Sequence, residues 1–257
     1  MKKYLISACA VLALSAGVVF AAPDPFPRGL NNLPDGHWVR GRGDAITMPF
    51  PARDNMFFDD FCQFDEATGV DWTITQVEAG AGDAAEIVAD ADDCILEQTT
   101  DANEDDNSWI QQIGEGFTFT SGKEAYFEMR LKIGDATQSD FLVGLHVRDT
   151  SPIASAPADG VYFRKDDGDA LLDFTSRSAS VNTESLGIHT VVDDTYVKIA
   201  FYYDGGTSFA VAVNDAVVTT LTATPTTTEL ALSFGAQAGS AAADVLSTDY
   251  IFFWKER

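Results

Sequence analysis

Between Thr195 and Leu221 the chain reads TYVKIAFYYDGGTSFAVAVNDAVVTTL, three alternating runs separated by two turn signals. In the first run Val197, Ile199, Phe201 and Tyr203 fall on one side, and Tyr196, Lys198, Ala200 and Tyr202 on the other. Alternation with period two is the signature of a strand with one face against a core, because successive side chains of a strand point to opposite faces. Asp204-Gly205-Gly206 supplies the positive φ angles of a hairpin turn. Phe209, Val211 and Val213 then alternate with Ser208, Ala210 and Ala212, and Asn214-Asp215 turns the chain again before Val217. A meander of this kind leaves one apolar face uncovered, so the rest of the chain must provide a second layer.

The remaining sequence supplies it as more strands. Phe57–Phe64, Trp72–Val77, Ala85–Ala89, Cys94–Gln98 and Ser108–Ile113 follow one another with turn residues between them. In Glu124–Ile133, Ala125, Phe127, Met129, Leu131 and Ile133 face in, while Tyr126, Glu128, Arg130 and Lys132 face out. Phe141–Arg148 repeats this with Phe141, Val143, Leu145 and Val147 inward, which puts His146 on the surface. Gly160–Arg164, Ala170–Phe174, Ser185–His189, Leu230–Phe234 and Val245–Trp254 complete the set. No stretch after residue 55 holds a helical period over three turns. The expected architecture is all-β, two antiparallel sheets packed as a sandwich.

The formal net charge is −24, from 16 basic and 40 acidic residues. Nucleic-acid binding needs a basic patch to neutralise phosphate, so that class of partner is excluded. Acidity on this scale fits a surface that resists association, or a partner of positive charge.

The N-terminus divides into two segments. Lys2 and Lys3 precede an uncharged run from Tyr4 to Phe20, then Ala21-Ala22-Pro23, a pattern that fits an export signal cleaved after Ala21 or a retained anchor helix. With the signal removed no membrane segment is left. Residues 22–55 hold six of the nine prolines together with Phe26, Trp38 and Phe50 and the arginines Arg28, Arg40, Arg42 and Arg53. Proline fixes φ and removes a donor, so this segment reads as an extended arm. Aromatic and arginine side chains dominate interface hot spots, which makes Phe26, Arg28, Trp38, Arg40, Arg42 and Phe50 candidates for docking onto another surface; the plainer reading is a linker. The strand-rich domain then runs from 56 to 257. Within it Cys62 and Cys94 are an even pair, open to one disulfide in an oxidising compartment or to two buried thiols.

With the strands placed, Tyr196–Val218, the opening FFDDF at Phe57–Phe61 and the closing DYIFFW at Asp249–Trp254 resemble the concanavalin A-like jelly roll of legume lectins, laminin G domains and many β-glucanases. DATQSDFLVGLHVRDTSP at 135–152, DGVYFRKDDGDALLDF at 159–174 and the stretch 233–257 are similar to jelly-roll virion proteins of tailed phages. That resemblance implies a non-enzymatic structural protein of the virion, held to a capsid or another virion protein through its arm, as a homo-oligomer. An export signal departs from that pattern. The alternative it leaves is an exported carbohydrate-binding or adhesion module of the laminin G type.

Candidate chemistry is sparse. Retaining glucanases of this fold carry E-x-D-x-x-E on one strand, with two carboxylates as nucleophile and acid. Glu86…Asp90 lacks the middle acid and Glu124…Glu128 has none between, so no catalytic residues are expected. The three histidines, His37, His146 and His189, form no metal cluster and no cofactor is implied. Asp101, Asn103 and Asp105 have the alternate spacing that opens a calcium loop, yet Asp106 stands where its glycine belongs and Gln112 where its glutamate belongs. Asp166-Asp167-Gly168-Asp169 is a second acidic turn. A glycan would need outward aromatic and hydrogen-bonding groups along one face, and Tyr126, Arg130, His146, Arg148, Tyr162 and Tyr202 are the candidates.

Overall fold

The computed structural model describes residues 54–64, 71–77, 84–87 and 94–257. The segment at 1–21 and the arm residues Phe26, Arg28, Trp38, Arg40, Arg42 and Phe50 lie outside the described residues. The strands in chain order are β1 (Asp54–Asp59), β2 (Trp72–Val77), β3 (Ala84–Ile87), β4 (Leu96–Thr99), β5 (Asn107–Gln112), β6 (Ala125–Ile133), β7 (Ser139–His146) and β8 (Gly160–Lys165). They continue as β9 (Leu171–Ser178), β10 (Val181–Thr190), β11 (Val197–Tyr203), β12 (Ser208–Val213), β13 (Ala216–Thr222), β14 (Ala231–Ala238) and β15 (Val245–Glu256). The first sheet has the order β13-β12-β11-β6-β15-β4-β3, and β1 also pairs with β15. The second has the order β10-β9-β8-β7-β14-β5-β2. Every pairing between named strands is antiparallel.

Alternation assembles the core as the sequence implies. Phe127, Met129, Leu131, Ile199, Phe201, Phe209 and Val211 from the first sheet meet Phe141, Val143, Leu145, Phe163, Phe174, Leu232 and Phe234 from the second in one buried cluster. Both turns of the meander take positive φ, at Gly205 (77°) and at Asn214 and Asp215 (50° and 67°). The Asp204 carboxylate anchors the first, accepting from Gly206 N at 2.7 Å and Ser208 N at 3.1 Å.

Several boundaries differ from the sequence reading, most by one to four residues, and those of β1 and β10 have the clearest consequences. β1 starts at Asp54, so the sandwich takes in two residues assigned above to the arm. It also stops at Asp59 rather than running to Phe64, because the Asp59 side chain takes over the hydrogen bonding. Its Oδ1 accepts from Phe61 N at 2.7 Å and its Oδ2 from Trp72 Nε1 at 2.7 Å. Phe61, at φ 58°, then drops into the core against Phe234. At the far edge, β10 runs from 181 to 190 with an irregularity between Ser185 and His189, twice the length the alternation indicated.

Cys62 and Cys94 are bonded, with a Cα–Cα distance of 4.9 Å and a sequence separation of 32. The bridge ties the turn after β1 to the approach of β4. Closing a loop of this size stabilises the fold by about 3–4 kcal/mol in the chain-entropy model. Replacing both cysteines with serine should therefore lower the thermal midpoint by roughly 6–15 °C. Matched melts of the oxidised wild type, the reduced wild type and the double variant provide the check.

Candidate functional site

The outer face of the second sheet is built from the positions that alternate with its core residues. On the three central strands these are Asp140, Leu142, Gly144 and His146 of β7, Gly160, Tyr162 and Arg164 of β8, and Ala231, Ser233, Gly235 and Gln237 of β14. Register sets Gly235 beside both Leu142 and Trp109, and Gly144 beside both Tyr162 and Ser233. These two glycines make room for the aromatic rings. A Cβ on Gly235 would stand 2.4 Å from Cε3 of Trp109, and one on Gly144 would stand 2.9 Å from Cβ of Tyr162. Trp109, Leu142 and Tyr162 form a small second cluster that Ile153, from the segment after β7, closes from above.

A cleft of about 330 Å³ opens beside that cluster, lined by Glu104, Asp105, Asp140, Ile153, Ala154, Arg164, Asp166, Asp167, Gln237 and Gly239. The two acidic turns that stand some sixty residues apart in sequence meet here, one on each side. β7 and β14 bring Asp140 and Gln237 opposite each other at its floor. Gln237 donates to Asp105 Oδ1 at 3.0 Å, and Asp167 N donates to Asp140 Oδ1 at 2.5 Å. Arg164 is paired with Asp166. Burial pushes the Asp140 carboxyl up to about 6, with the Asp167 and Asp166 charges adding to the rise and the bond from Asp167 N opposing it. Lys165, next to Arg164 on β8 and facing the other side of that strand, donates to the carbonyl of Ser139. Burial lowers its pKa, and the Asp140 and Asp167 charges oppose that fall.

The six residues expected to share one ligand face do not share one. Tyr126, Arg130 and Tyr202 lie on the outer face of the first sheet, while His146 and Tyr162 lie on the outer face of the second, with the core between them. Arg148 follows β7 and is held by Glu115, whose carboxylate accepts from Arg148 N at 2.7 Å, and by the carbonyl of Ile113. His146 is not a surface residue either. It is fully buried, its Nδ1 lies 2.6 Å from the carbonyl of Val147, and burial pulls its pKa down to about 4. Tyr126 and Tyr162 are buried as well, each within an apolar cluster on its outer face that strand alternation cannot reveal. On the first sheet, Arg130 pairs with Asp249 and lies 4.0 Å over the ring of Tyr196.

Of Asp101, Asn103 and Asp105, the first two meet and the third is turned to Gln237. Asp101 Oδ1 accepts from Ala102 N at 2.7 Å, the Asn103 amide faces Asp101 and Asp106, and Asp105 is engaged by Gln237. Among the described residues no three His, Cys, Asp or Glu side chains gather as a metal set. The catalytic geometry of a retaining glucanase finds no match on the central strands, where Asp140 is the one carboxylate among the outward positions. Glu128 is on the other sheet, where it is 6% exposed and accepts from the hydroxyls of Tyr126 and Tyr250.

No protein-family model matches the chain, and no curated protein matches it by sequence. Solved structures match it by shape. Peanut lectin superposes with a TM-score of 0.53 at 12% identity, over 79% of this chain and 97% of the lectin. The carbohydrate recognition domain of Emp46p in its potassium-bound form gives 0.53 at 8% identity, over 76% and 94%. An endo-1,3-β-glucanase from Streptomyces sioyaensis gives 0.52 at 12%, over 80% and 97%. The fold is a concanavalin A-like jelly roll. Lectins and glucanases share it, so the sandwich alone does not separate binding from hydrolysis. None of these three structures is a virion protein.

The two buried groups of this face give opposite pH dependences. His146 binds its proton more weakly folded than unfolded, so it destabilises the fold as pH falls from about 6.5 to 4. Asp140 binds its proton more tightly folded, so over about pH 6 to 4 it stabilises the fold as pH falls. The two act in opposite directions in the wild type. Asp140→Asn removes one side of that balance, and its stability relative to wild type should drop by roughly 2 kcal/mol between pH 7 and pH 4. Urea unfolding of both proteins across that range measures the difference.

Proposed function

We propose that the protein is an exported, non-enzymatic carbohydrate-binding module that holds a glycan in the cleft between Asp140, Arg164 and Gln237. The observation that carries this reading is the cleft itself: hydrogen-bonding side chains on rigid strands, backed by the Trp109–Tyr162 cluster. Its volume stands near the lower end of the range for small-ligand pockets, about 300–1,000 Å³. Carboxylates accept hydrogen bonds from sugar hydroxyls, and Arg164 donates to hydroxyl or ring oxygens. Five acids around one arginine disfavour uronic acids and favour neutral or amino sugars. That the lectin and the recognition domain named above share the fold is consistent with this reading, and so is the lone carboxylate on the central strands. The Cys62–Cys94 bridge and the N-terminal pattern favour an oxidising, exported setting. Attachment to a capsid through the arm draws no comparable support.

A glycan array probed with the full chain tests the proposal. Hits are expected among neutral or amino-sugar glycans, and Arg164→Ala should weaken them about tenfold or more, the effect of losing a charge-assisted hydrogen bond. A blank array, or hits that Arg164→Ala leaves unchanged, would overturn the site. Release of reducing ends from the same glycans, abolished by Asp140→Asn, would overturn the non-enzymatic part.

A further inference from the structure

The two sheets end side by side. β10 is the last strand of the second sheet and β13 the last of the first, and they pack next to each other. Among the described residues no strand pairs with the outer edge of either, so each presents a row of backbone donors and acceptors. Charged side chains and proline ordinarily blunt such an edge. Glu184 is the one Asp, Glu, Lys or Arg among the ten residues of β10, β13 has none in seven, and neither holds a proline. Across the whole chain 22% of residues are charged, so this side departs from the rest.

Apolar side chains stand there instead. Leu171, Val181, Leu186, Val192, Val217 and Val218, on these two strands or beside them, are exposed. Leu186 is 70% exposed, and the backbone holds it there. β10 is irregular between Ser185 and His189, and within that stretch Gly187 takes φ 61° while its N–H donates to Asp173 Oδ1 at 2.6 Å. Any residue but glycine is strained at such an angle, so the bulge that carries Leu186 is a built feature.

Charge decides what can cover this side. The chain carries −24, so two copies repel wherever their acidic faces meet, and a nearly uncharged stripe is where they can approach. A basic partner would be drawn to the acidic faces instead. Size agrees, since the two strands with Leu171 and Val192 come close to the roughly 20–30 residues a side of a standard interface. A strand edge is also complementary to itself, because antiparallel pairing about a two-fold axis sets donors against acceptors.

We propose that the chain forms a side-to-side homodimer about a two-fold axis, with β10 and β13 of each copy meeting those of the other and Leu186 and Val217 buried between them. Each copy keeps its cleft, which stands on β7, β8 and β14 and the turns at their ends, so one particle presents two.

Sedimentation equilibrium of the full chain at tens of micromolar is expected to show a dimer. Leu186→Glu combined with Val217→Glu should weaken it about a hundredfold or more, the effect of setting like charges against each other across the axis. Val77→Glu combined with Ile113→Glu, at exposed apolar positions by the opposite edge of the second sheet, should leave it unchanged. Circular dichroism checks that each variant keeps its sheet signal, and Leu186→Ser with Val217→Ser carries the same test with milder substitutions. A monomeric wild type, an assembly larger than a dimer, a dimer that survives substitution at Leu186 and Val217, or one that substitution at Val77 and Ile113 breaks as readily would each overturn the proposal.

Discussion

The contact between aromatic rings across the middle of the sandwich is what the other features depend on. Phe127 stacks on Phe201 at 5.3 Å within the first sheet, and Phe174 of the second sheet meets Phe201 at 5.5 Å and Phe209 at 5.9 Å. Phe163 joins both sides, 5.1 Å from Phe174 and 6.4 Å from Phe127. Rings of this size bury large areas and prefer tilted, edge-on geometries, so they lock the two sheets in one lateral relation. β8, β7 and β14 are paired neighbours in one sheet, and the relation of the sheets brings to their ends the turn at 101–106, which runs from β4 of the first sheet to β5 of the second.

The two outer faces solve the same physical problem differently. Each sheet has apolar side chains pointing away from the core, and each hides them. The second sheet uses a described element, the segment bearing Ile153, and two glycines that let Trp109 and Tyr162 lie close to the backbone. The first sheet surrounds a buried glutamate with tyrosine hydroxyls, so the charge of Glu128 is met by donors. The second arrangement leaves an opening beside it among the described residues, and the functional reading rests on that side.

Much of the fold was legible in the chain. β2 matched to the residue, and the inward sets of β6, β7 and β11 were correct because a period-two pattern needs no partner to be read. The errors about exposure share one cause. A strand pattern says which side chains point away from the core, and says nothing about what covers them. Hence His146, Tyr126 and Tyr162 read as surface residues and proved buried. Six outward residues were likewise assigned to one face when the strands that carry them belong to opposite sheets.

The sequence by itself determined the strands, their inward faces, both meander turns and the absence of a paired-carboxylate strand motif. All of these follow from local spacing and backbone sterics, which act within a few residues. The tertiary structure alone decided which sheet each strand joins, the bonding of Cys62 to Cys94 and the meeting of the acidic turns at 101–106 and 166–169 around Asp140. Those depend on strand order and on what each face packs against, and contacts between residues far apart in the chain leave no periodic trace in it.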